Sequence, residues 1–249
     1  MHLHVGKNNV IGRAFSKYFQ EVITVSHKDL LNFGSLERFE TISISAFDPL
    51  NKVRPLENDS KLLNYIYKYA DSSSKMIYFS SARCLQVRPP ERHRIYVKNK
   101  MVIADKLRNK FSNFSLIYLP NLIPIETCDK SNFVDSFCKN LVTGLVHFDC
   151  SLESSWNFVD PASIVCWIKN NPLIEGDFFI RNSNNTTVKD FVTFAKSYNP
   201  NSRVMLNPEI FIEYPGKIKS VKNTVSINNS DNTKNFKWLK SRMKLYEQS

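Results

Sequence analysis

Short apolar runs recur along the first half of the chain, and each ends at a polar or glycine-containing turn. β-branched and aromatic residues dominate them, which predicts buried strands. Stretches with helical spacing separate the runs, at 13–19, 60–70 and from Tyr96 onward, with a shorter helical piece at 36–39. The predicted strands are Met1–Val5, Glu21–Val25, Thr41–Ser45, Met76–Phe79 and Ser115–Leu119.

This alternation of strands and helices predicts an α/β fold, with a parallel sheet that carries helices on both faces. In such folds ligands bind at the edge where the strands end. The polar groups that follow each predicted strand are therefore the candidate functional groups.

The first of these groups is the turn Gly6-Lys7-Asn8-Asn9-Val10-Ile11-Gly12, between the first strand and a helix. Backbone N–H groups and the positive end of the helix would face a phosphate there. Gly6, Asn9, Val10, Ile11 and Gly12 are therefore candidate cofactor-binding residues. The glycine spacing alone is equally typical of a tight strand-to-helix turn.

The second and third strands end in further candidates for cofactor binding. Ser26-His27-Lys28 follows the second strand, where a dinucleotide fold contacts the adenosine ribose. An acidic residue would bind a free 2′-hydroxyl, whereas His27 and Lys28 suit a 2′-phosphate and so favour NADP(H), with NAD(H) as the alternative. An exposed polar turn would have the same pattern. Ala46 and Phe47 follow the third strand.

Tyr96 and Lys100 are four residues apart on a predicted helix, so their side chains share one face. A free tyrosine titrates near pH 10, and a nearby ammonium is expected to lower that pKa. A serine hydroxyl after the Met76–Phe79 strand can orient the same substrate oxygen. Together these groups predict a proton-transfer site that interconverts an alcohol and a ketone.

Composition narrows the class of protein. The 42% hydrophobic and 23% charged residues are typical of a globular protein, and no apolar run approaches the length of a membrane span. Five cysteines without a Cys-x-x-Cys pair, and no signal-peptide pattern, favour reduced thiols in the cytoplasm, without a metal site. The net charge of +11 suits nucleic acid or phosphate-bearing small molecules. Because no nucleic-acid-binding motif accompanies it, small molecules are favoured.

These residues resemble the extended short-chain dehydrogenases/reductases, the group of nucleotide-sugar epimerases and reductases. Gly6-x-x-Asn9-x-x-Gly12 resembles its glycine turn, and Phe79-Ser80-Ser81-Ala82 resembles the strand end that binds the reacting oxygen. Tyr96-x-x-x-Lys100 matches its catalytic pair. Segments 156–162, 177–194 and 222–239 also resemble parts of the family, so the similarity spans nearly the whole chain.

The resemblance implies a Rossmann-type doubly wound sheet with a small C-terminal lobe that binds the substrate. It assigns 1–124 to the NAD(P)-binding domain, with 151–182 returning to it, and 125–150 and 183–249 to the lobe. It implies that Tyr96 is the acid/base, that Lys100 holds the nicotinamide ribose, and that Ser81 and Asn121 contact the substrate. Homodimers are common in the family, so a homodimer is expected.

The chain departs from the family pattern at several positions. Asn9 replaces the middle glycine of the turn, only fifteen positions separate Ser81 from Tyr96, and Tyr118 and Pro124 replace residues that often flank Asn121. Ala82-Arg83 stands where dehydratases of the group carry an Asp-Glu pair, which argues against dehydration.

Three functions remain. A reductase would transfer hydride to a keto-sugar, most simply an NDP-4-keto-6-deoxyhexose of surface polysaccharide biosynthesis. An NDP-sugar 4-epimerase would use a retained NAD⁺. A non-catalytic NADP-binding scaffold or sensor is the third. The polar turn at 26–28 and the short chain favour the reductase.

Overall fold

The computed structural model describes residues 1–45, 57–124, 132–227 and 236–247. The helices are α1 (Val10–Tyr18), α2 (His27–Leu30), α3 (Glu57–Tyr69), α4 (Arg94–Lys110), α5 (Asn132–Val142), α6 (Pro161–Asn170), α7 (Val188–Tyr198) and α8 (Lys237–Glu247). The strands are β1 (His2–Val5), β2 (Val22–Val25), β3 (Thr41–Ile44), β4 (Lys75–Ser81), β5 (Phe114–Leu119), β6 (Asn121–Leu122), β7 (Leu145–Phe148), β8 (Ser155–Trp156), β9 (Phe158–Val159), β10 (Gly176–Asn182), β11 (Thr186–Thr187), β12 (Arg203–Leu206), β13 (Glu213–Tyr214) and β14 (Asn223–Ile227).

Seven strands form the central sheet in the order β14-β10-β5-β4-β3-β1-β2, and every neighbouring pair is parallel. The α/β prediction with a doubly wound parallel sheet is confirmed. The chain passes from β1 out to β2 and then returns to pair β3 with the other side of β1. The strand order therefore reverses between β1 and β3, which is where ligands bind in doubly wound folds.

Hydrophobic cores cover both faces of this sheet. On one face, α3 and α4 pack buried side chains such as Ile66, Ala104 and Leu107. On the other, α1 and α6 contribute Phe15, Ile164 and Ile168. This burial on both sides explains why the strands are nearly continuous apolar runs.

A third hydrophobic core lies in the C-terminal lobe. There, aromatic residues from α5, β7 and α7, and Phe236 just before α8, surround Phe191. Strand β14 lies within the stretch that the sequence assigned to the lobe, yet it pairs with β10 in the central sheet. The domain limits themselves stay a prediction.

Two local predictions need correction. Residues 36–39 form a turn in which the Phe39 amide donates to the Leu36 carbonyl at 3.0 Å, and no helix forms. The apolar residues Leu36 and Phe39 that suggested a helix are both fully buried in the core. The polar turn after β2 is instead the start of α2, because Ser26 caps this one-turn helix.

Within the part of the chain that the structure describes, no helix is both long and apolar enough to cross a bilayer. The same residues contain no group of three or more His, Cys, Asp and Glu side chains that could hold a metal ion.

Candidate active site

The turn between β1 and α1 needs glycine at both of its predicted positions. Gly6 has a φ of 136°, a conformation that L side chains rarely adopt. A Cβ on Gly12 would lie 2.0 Å from the Gly6 carbonyl oxygen, so α1 can approach the turn this closely only without a side chain. Close helix–strand packing of this kind is the role of the third glycine in dinucleotide-binding turns.

Asn9, which stands in place of the middle glycine, has extended backbone with φ −104° and is the N-cap of α1. Its Oδ1 accepts the Gly12 amide at 2.9 Å, and its Nδ2 donates to the Ser45 carbonyl at 2.8 Å. Asn9 thus connects the end of β3 to the start of α1. The amides of Val10 and Ile11, in the first turn of the helix, remain without an intrahelical acceptor, as in any α-helix.

A buried chain of hydrogen bonds continues from Asn9 across the sheet. Ser45 Oγ donates to Asn9 Oδ1 at 3.1 Å and lies 2.8 Å from His4 Nε2. Ser43 Oγ lies 2.7 Å from His4 Nδ1 and 2.8 Å from His2 Nε2. The Ser43 hydroxyl also donates to the Leu3 carbonyl at 3.5 Å, so the chain of hydrogen bonds runs from Asn9 through both histidines to the backbone of β1.

Both histidines are held in the neutral form. Burial lowers the pKa of His2 to about 4, and the nearby Lys75 and N-terminal amine add to the effect. Burial also lowers the pKa of His4 well below its ordinary value, with a further contribution from His2. The alternation of these histidines on β1 therefore reflects packing and hydrogen bonding around the sheet, against Phe15, which stacks on His4 at 4.3 Å.

The end of β2 contains an acid that sequence reasoning missed. The Ser26 hydroxyl accepts the Asp29 amide at 3.1 Å, and the Asp29 carboxylate accepts the Ser26 amide at 3.3 Å. These hydrogen bonds lower the pKa of Asp29. An ionised carboxylate thus lies beside His27 and Lys28 on α2. The sequence does contain a signal for it, because Ser-x-x-Asp before an apolar residue is typical of a helix cap.

The proton-transfer residues meet at the end of β4. Ser81, the last residue of β4, caps the 3-10 helix 82–85, where its hydroxyl accepts the Arg83 amide at 3.3 Å, and its side chain is close enough to Tyr96 in α4 to lower the pKa of that phenol. One turn further along α4, the buried Lys100 places its ammonium 5.5 Å from the centre of the Tyr96 ring and 5.7 Å from that of Tyr78. The structure thus brings the three predicted catalytic residues together.

The expected direction of the Tyr96 pKa shift is wrong. Burial raises the pKa of Tyr96 well above its ordinary value, and the neighbouring Cys84 adds to this, whereas the hydrogen bond with Ser81 and the charge of Arg83 oppose it. The Lys100 ammonium lies over the face of the ring, where it makes a cation–π contact. Desolvation of the phenolate therefore outweighs the charges around it.

Two further residues reach this site without having been predicted. Tyr214 in β13 is buried, and burial raises its pKa, while Arg83 and Ser81 oppose the shift. The Arg83 guanidinium lies 4.9 Å from the centre of the Tyr214 ring. Arg83 lies two residues after Ser81, but the sequence analysis used it only to argue against dehydration. No short-range sequence pattern marks Tyr214.

Asn121 lies at the same sheet edge but is held by a different partner. It begins β6, which pairs with β9, and its amide donates to the Asn157 carbonyl at 3.1 Å. The Asn157 side chain in turn bonds Asn182 and Asn185, so a buried asparagine cluster supports this edge. Of the other predicted cofactor residues, Ala46 and Phe47 lie outside the described residues.

No protein-family model matches the sequence, and a search of curated proteins finds no match. Solved structures do match. UDP-glucose 4-epimerase from Thermotoga maritima, with UDP-glucose, is 14% identical, with 100% of this chain and 99% of that chain covered and a TM-score of 0.65. The chain therefore shares the fold of this epimerase.

Two other structures with this fold carry different activities. The NAD-dependent NDP-hexosamine 5,6-dehydratase TunA is 12% identical over 100% of this chain and 98% of that chain, with a TM-score of 0.66. A GDP-L-fucose synthetase from Naegleria fowleri, bound to NADP, is 13% identical over 99% and 92%, with a TM-score of 0.63. The resemblance inferred from the motifs is thus confirmed in the fold.

Proposed function

We propose that the chain is an NAD(P)-dependent oxidoreductase that reduces the keto group of a nucleotide-linked sugar. The observation that carries this proposal is the Lys100 ammonium 5.5 Å from the centre of the Tyr96 ring, with Ser81 close enough to lower the pKa of Tyr96. Tyr96 and Lys100 lie in α4, and Ser81 ends β4 at the carboxyl edge of the sheet, where β3 separates it from β1 and the Gly6–Gly12 turn. The solved epimerase, dehydratase and synthetase share the same fold.

The residues at the turn fit a dinucleotide. The close approach at Gly12 packs α1 against the turn after β1, and the Val10 and Ile11 amides of its first turn, available by helix geometry, would face a pyrophosphate. When bound, the nicotinamide supplies the hydride. Lys100, one turn from Tyr96, would hold the nicotinamide ribose.

The residues of the chain handle the proton. Ser81 would orient the substrate oxygen, and Tyr96 would donate its phenol proton to that oxygen. Burial raises the pKa of Tyr96, so the phenol is protonated at neutral pH, the form from which it can donate to a keto oxygen, although it is then a weaker acid. The choice of reduction over epimerisation rests on the polar turn at 26–28 and the short chain.

The substrate that we propose is an NDP-4-keto-6-deoxyhexose, held with the help of Asn121 and by the C-terminal lobe of residues 125–150 and 183–249. NADP(H) is proposed as the cofactor because His27 and Lys28 can meet a 2′-phosphate. NAD(H) is the second candidate, and the Asp29 carboxylate favours it, since an acid at this strand end binds a free 2′-hydroxyl. We further propose that the protein is a homodimer and that it lies in the cytoplasm.

Turnover tests this proposal. The purified protein is mixed with NADPH or NADH and a series of NDP-4-keto-6-deoxyhexoses, and oxidation of the cofactor is followed by its absorbance. Tyr96→Phe should lower kcat by about 100-fold or more, because the acid is lost, while the cofactor still binds. Tyr65→Phe is the matched control, since its hydroxyl bonds the Gly34 carbonyl away from the site.

The same mixtures separate the alternatives. Interconversion of UDP-glucose and UDP-galactose without net oxidation of cofactor would identify the 4-epimerase. Cofactor binding with no turnover of any sugar, and no effect of Tyr96→Phe on a cellular phenotype, would identify a scaffold or sensor.

A further inference from the structure

A cavity of about 240 Å³ lies at the edge of the central sheet opposite the catalytic residues. Its walls come from the starts of β1, β3 and β4 and from the segments where α1 and α6 end. Lys75 at the start of β4 lines the cavity, whereas Ser81 at the end of the same strand lies in the candidate active site. A strand rises about 3.3 Å per residue, so about 20 Å separates the two.

Part of the cavity wall is apolar. Phe19 and Ile168 line it near the ends of α1 and α6, and Ile77 lines it from β4. Ile77 and Ile168 are buried in the core between the sheet and these two helices, and Phe19 packs against that core. Since a cavity of about 150 Å³ can hold benzene, this one has room for a ring with a small substituent.

Another part of the wall carries a buried ammonium. Only 7% of Lys75 is exposed, and its Nζ donates to the Pro172 carbonyl. An ammonium has three N–H donors, and among the residues that the structure describes no carboxylate forms an ion pair with it. Burial lowers the pKa of Lys75, and Glu175 opposes this shift. An anion in the cavity would offset the cost of burying this charge.

The other charged groups of the cavity are exposed. Lys169 adds a second ammonium, 5.4 Å from the centre of the Phe19 ring. Glu40 pairs with the N-terminal amine at 3.1 Å and its side chain is 88% exposed, and Glu21 is exposed as well. Solvent and salt screen exposed charges much more than buried ones. The buried Lys75 therefore decides that the interior of the cavity favours an anion.

We propose that this cavity binds a small organic acid, with its carboxylate at the Lys75 ammonium and its apolar part against Phe19 and Ile168. Hydrogen bonds between an ammonium and a carboxylate are about twice as strong as those between neutral groups. The apolar wall favours a ring or a short hydrocarbon chain over an inorganic anion. None of the catalytic residues lines the cavity, so the site is independent of the proposed function.

Calorimetric titration of the purified protein with benzoate tests this site. Benzoate should bind saturably in the millimolar range or tighter. Benzamide, which has the same ring without the charge, should bind at least about 10-fold more weakly, and so should inorganic phosphate, which has the charge without the ring. No saturable binding of benzoate up to about 10 mM would overturn the proposal, and so would equal binding of benzamide or phosphate.

The Lys75→Met variant tests the anchor, because methionine retains a long apolar side chain without the charge. Benzoate should bind it at least about 10-fold more weakly than the wild type, the equivalent of one hydrogen bond to a charged group. Lys189→Met is the matched control, since Lys189 is exposed on α7 and does not line the cavity. Unchanged binding of benzoate by Lys75→Met would overturn the assignment of its carboxylate to Lys75.

The position of the ligand can be found in the wild type, without any variant that has to fold. In amide NMR spectra, benzoate should shift the signals of Ile77 and Ile168, which line the cavity. The signals of Tyr96 and Lys100 should stay in place, because these residues lie at the other edge of the sheet. Shifts at Tyr96 and Lys100 alone would overturn the proposal, since benzoate would then occupy the candidate active site.

Discussion

Acid should destabilise this protein at a pH where its carboxylates are still largely ionised, because two histidines must stay neutral in the folded state. The perturbation is a shift from about pH 7.5 to about pH 5. His2 has its pKa lowered to about 4 when folded, and that of His4 is lowered well below its ordinary value. The unfolded chain therefore binds more protons, so stability falls as the pH falls through 6.5 toward 4.

The magnitude follows from the two pKa values of His2. With 6.5 unfolded and about 4 folded, His2 loses about 2 kcal/mol of its contribution by pH 5, and His4 adds to the loss in the same direction. The free energy of unfolding should thus drop by about 2 kcal/mol or more, a large part of the stability of an ordinary domain.

Urea unfolding followed by circular dichroism at each pH measures this drop. His2→Gln keeps a side-chain amide that can hydrogen-bond Ser43 but cannot titrate, so its pH-dependent loss should be smaller than that of the wild type by about 2 kcal/mol. Ser16→Ala, which removes an exposed hydrogen bond to Thr24, should lower stability equally at both pH values. If the free energy of unfolding of the wild type falls by less than about 1 kcal/mol, or falls equally in His2→Gln, the two histidines are not held buried and neutral as we infer.

Three substitutions test the packing and caps around the site, each by urea unfolding at neutral pH. Gly12→Ala should destabilise by about 1–3 kcal/mol or more, because its methyl group would meet the Gly6 carbonyl; a neutral effect would contradict the close approach. Asn9→Ala should cost about 1–2 kcal/mol through the lost α1 cap, and Asn9→Asp less, since it keeps the acceptor for the Gly12 amide; equal losses would count against the capping role. Phe191→Ala should cost about 3–5 kcal/mol at the centre of the lobe core, whereas Phe211→Ala, which is 62% exposed, should be nearly silent; the reverse order would show that the lobe is packed differently.

Local spacing was enough to predict the parts of the site that lie close together in sequence. Tyr96 and Lys100 share a helix face because four residues make about one turn. Gly6 and Gly12 mark a turn that only glycine can make, and the apolar runs are strands because both faces of the sheet are covered. The parallel sheet follows from the alternation of strands and helices.

The remaining features depend on contacts between distant parts of the chain. The pairing of β3 with β1, and of β14 with β10, is set by the tertiary fold and leaves no mark in short stretches of sequence. Tyr214 reaches Ser81 only because β13 pairs with β8. The raised pKa of Tyr96 results from burial by such elements, so the proximity of Lys100 in sequence predicted the wrong direction.

The most direct test of the proposed nicotinamide chemistry is a thermal-shift titration with NADPH, NADP⁺, NADH and NAD⁺. A ligand that binds only the folded state must raise the Tm. At about 100 times its Kd it adds about 2.7 kcal/mol to the free energy of unfolding. We predict a clear rise with the phosphorylated pair and a smaller rise with the other two. No rise with any of the four would contradict the assignment of the Gly6–Gly12 turn as a dinucleotide site.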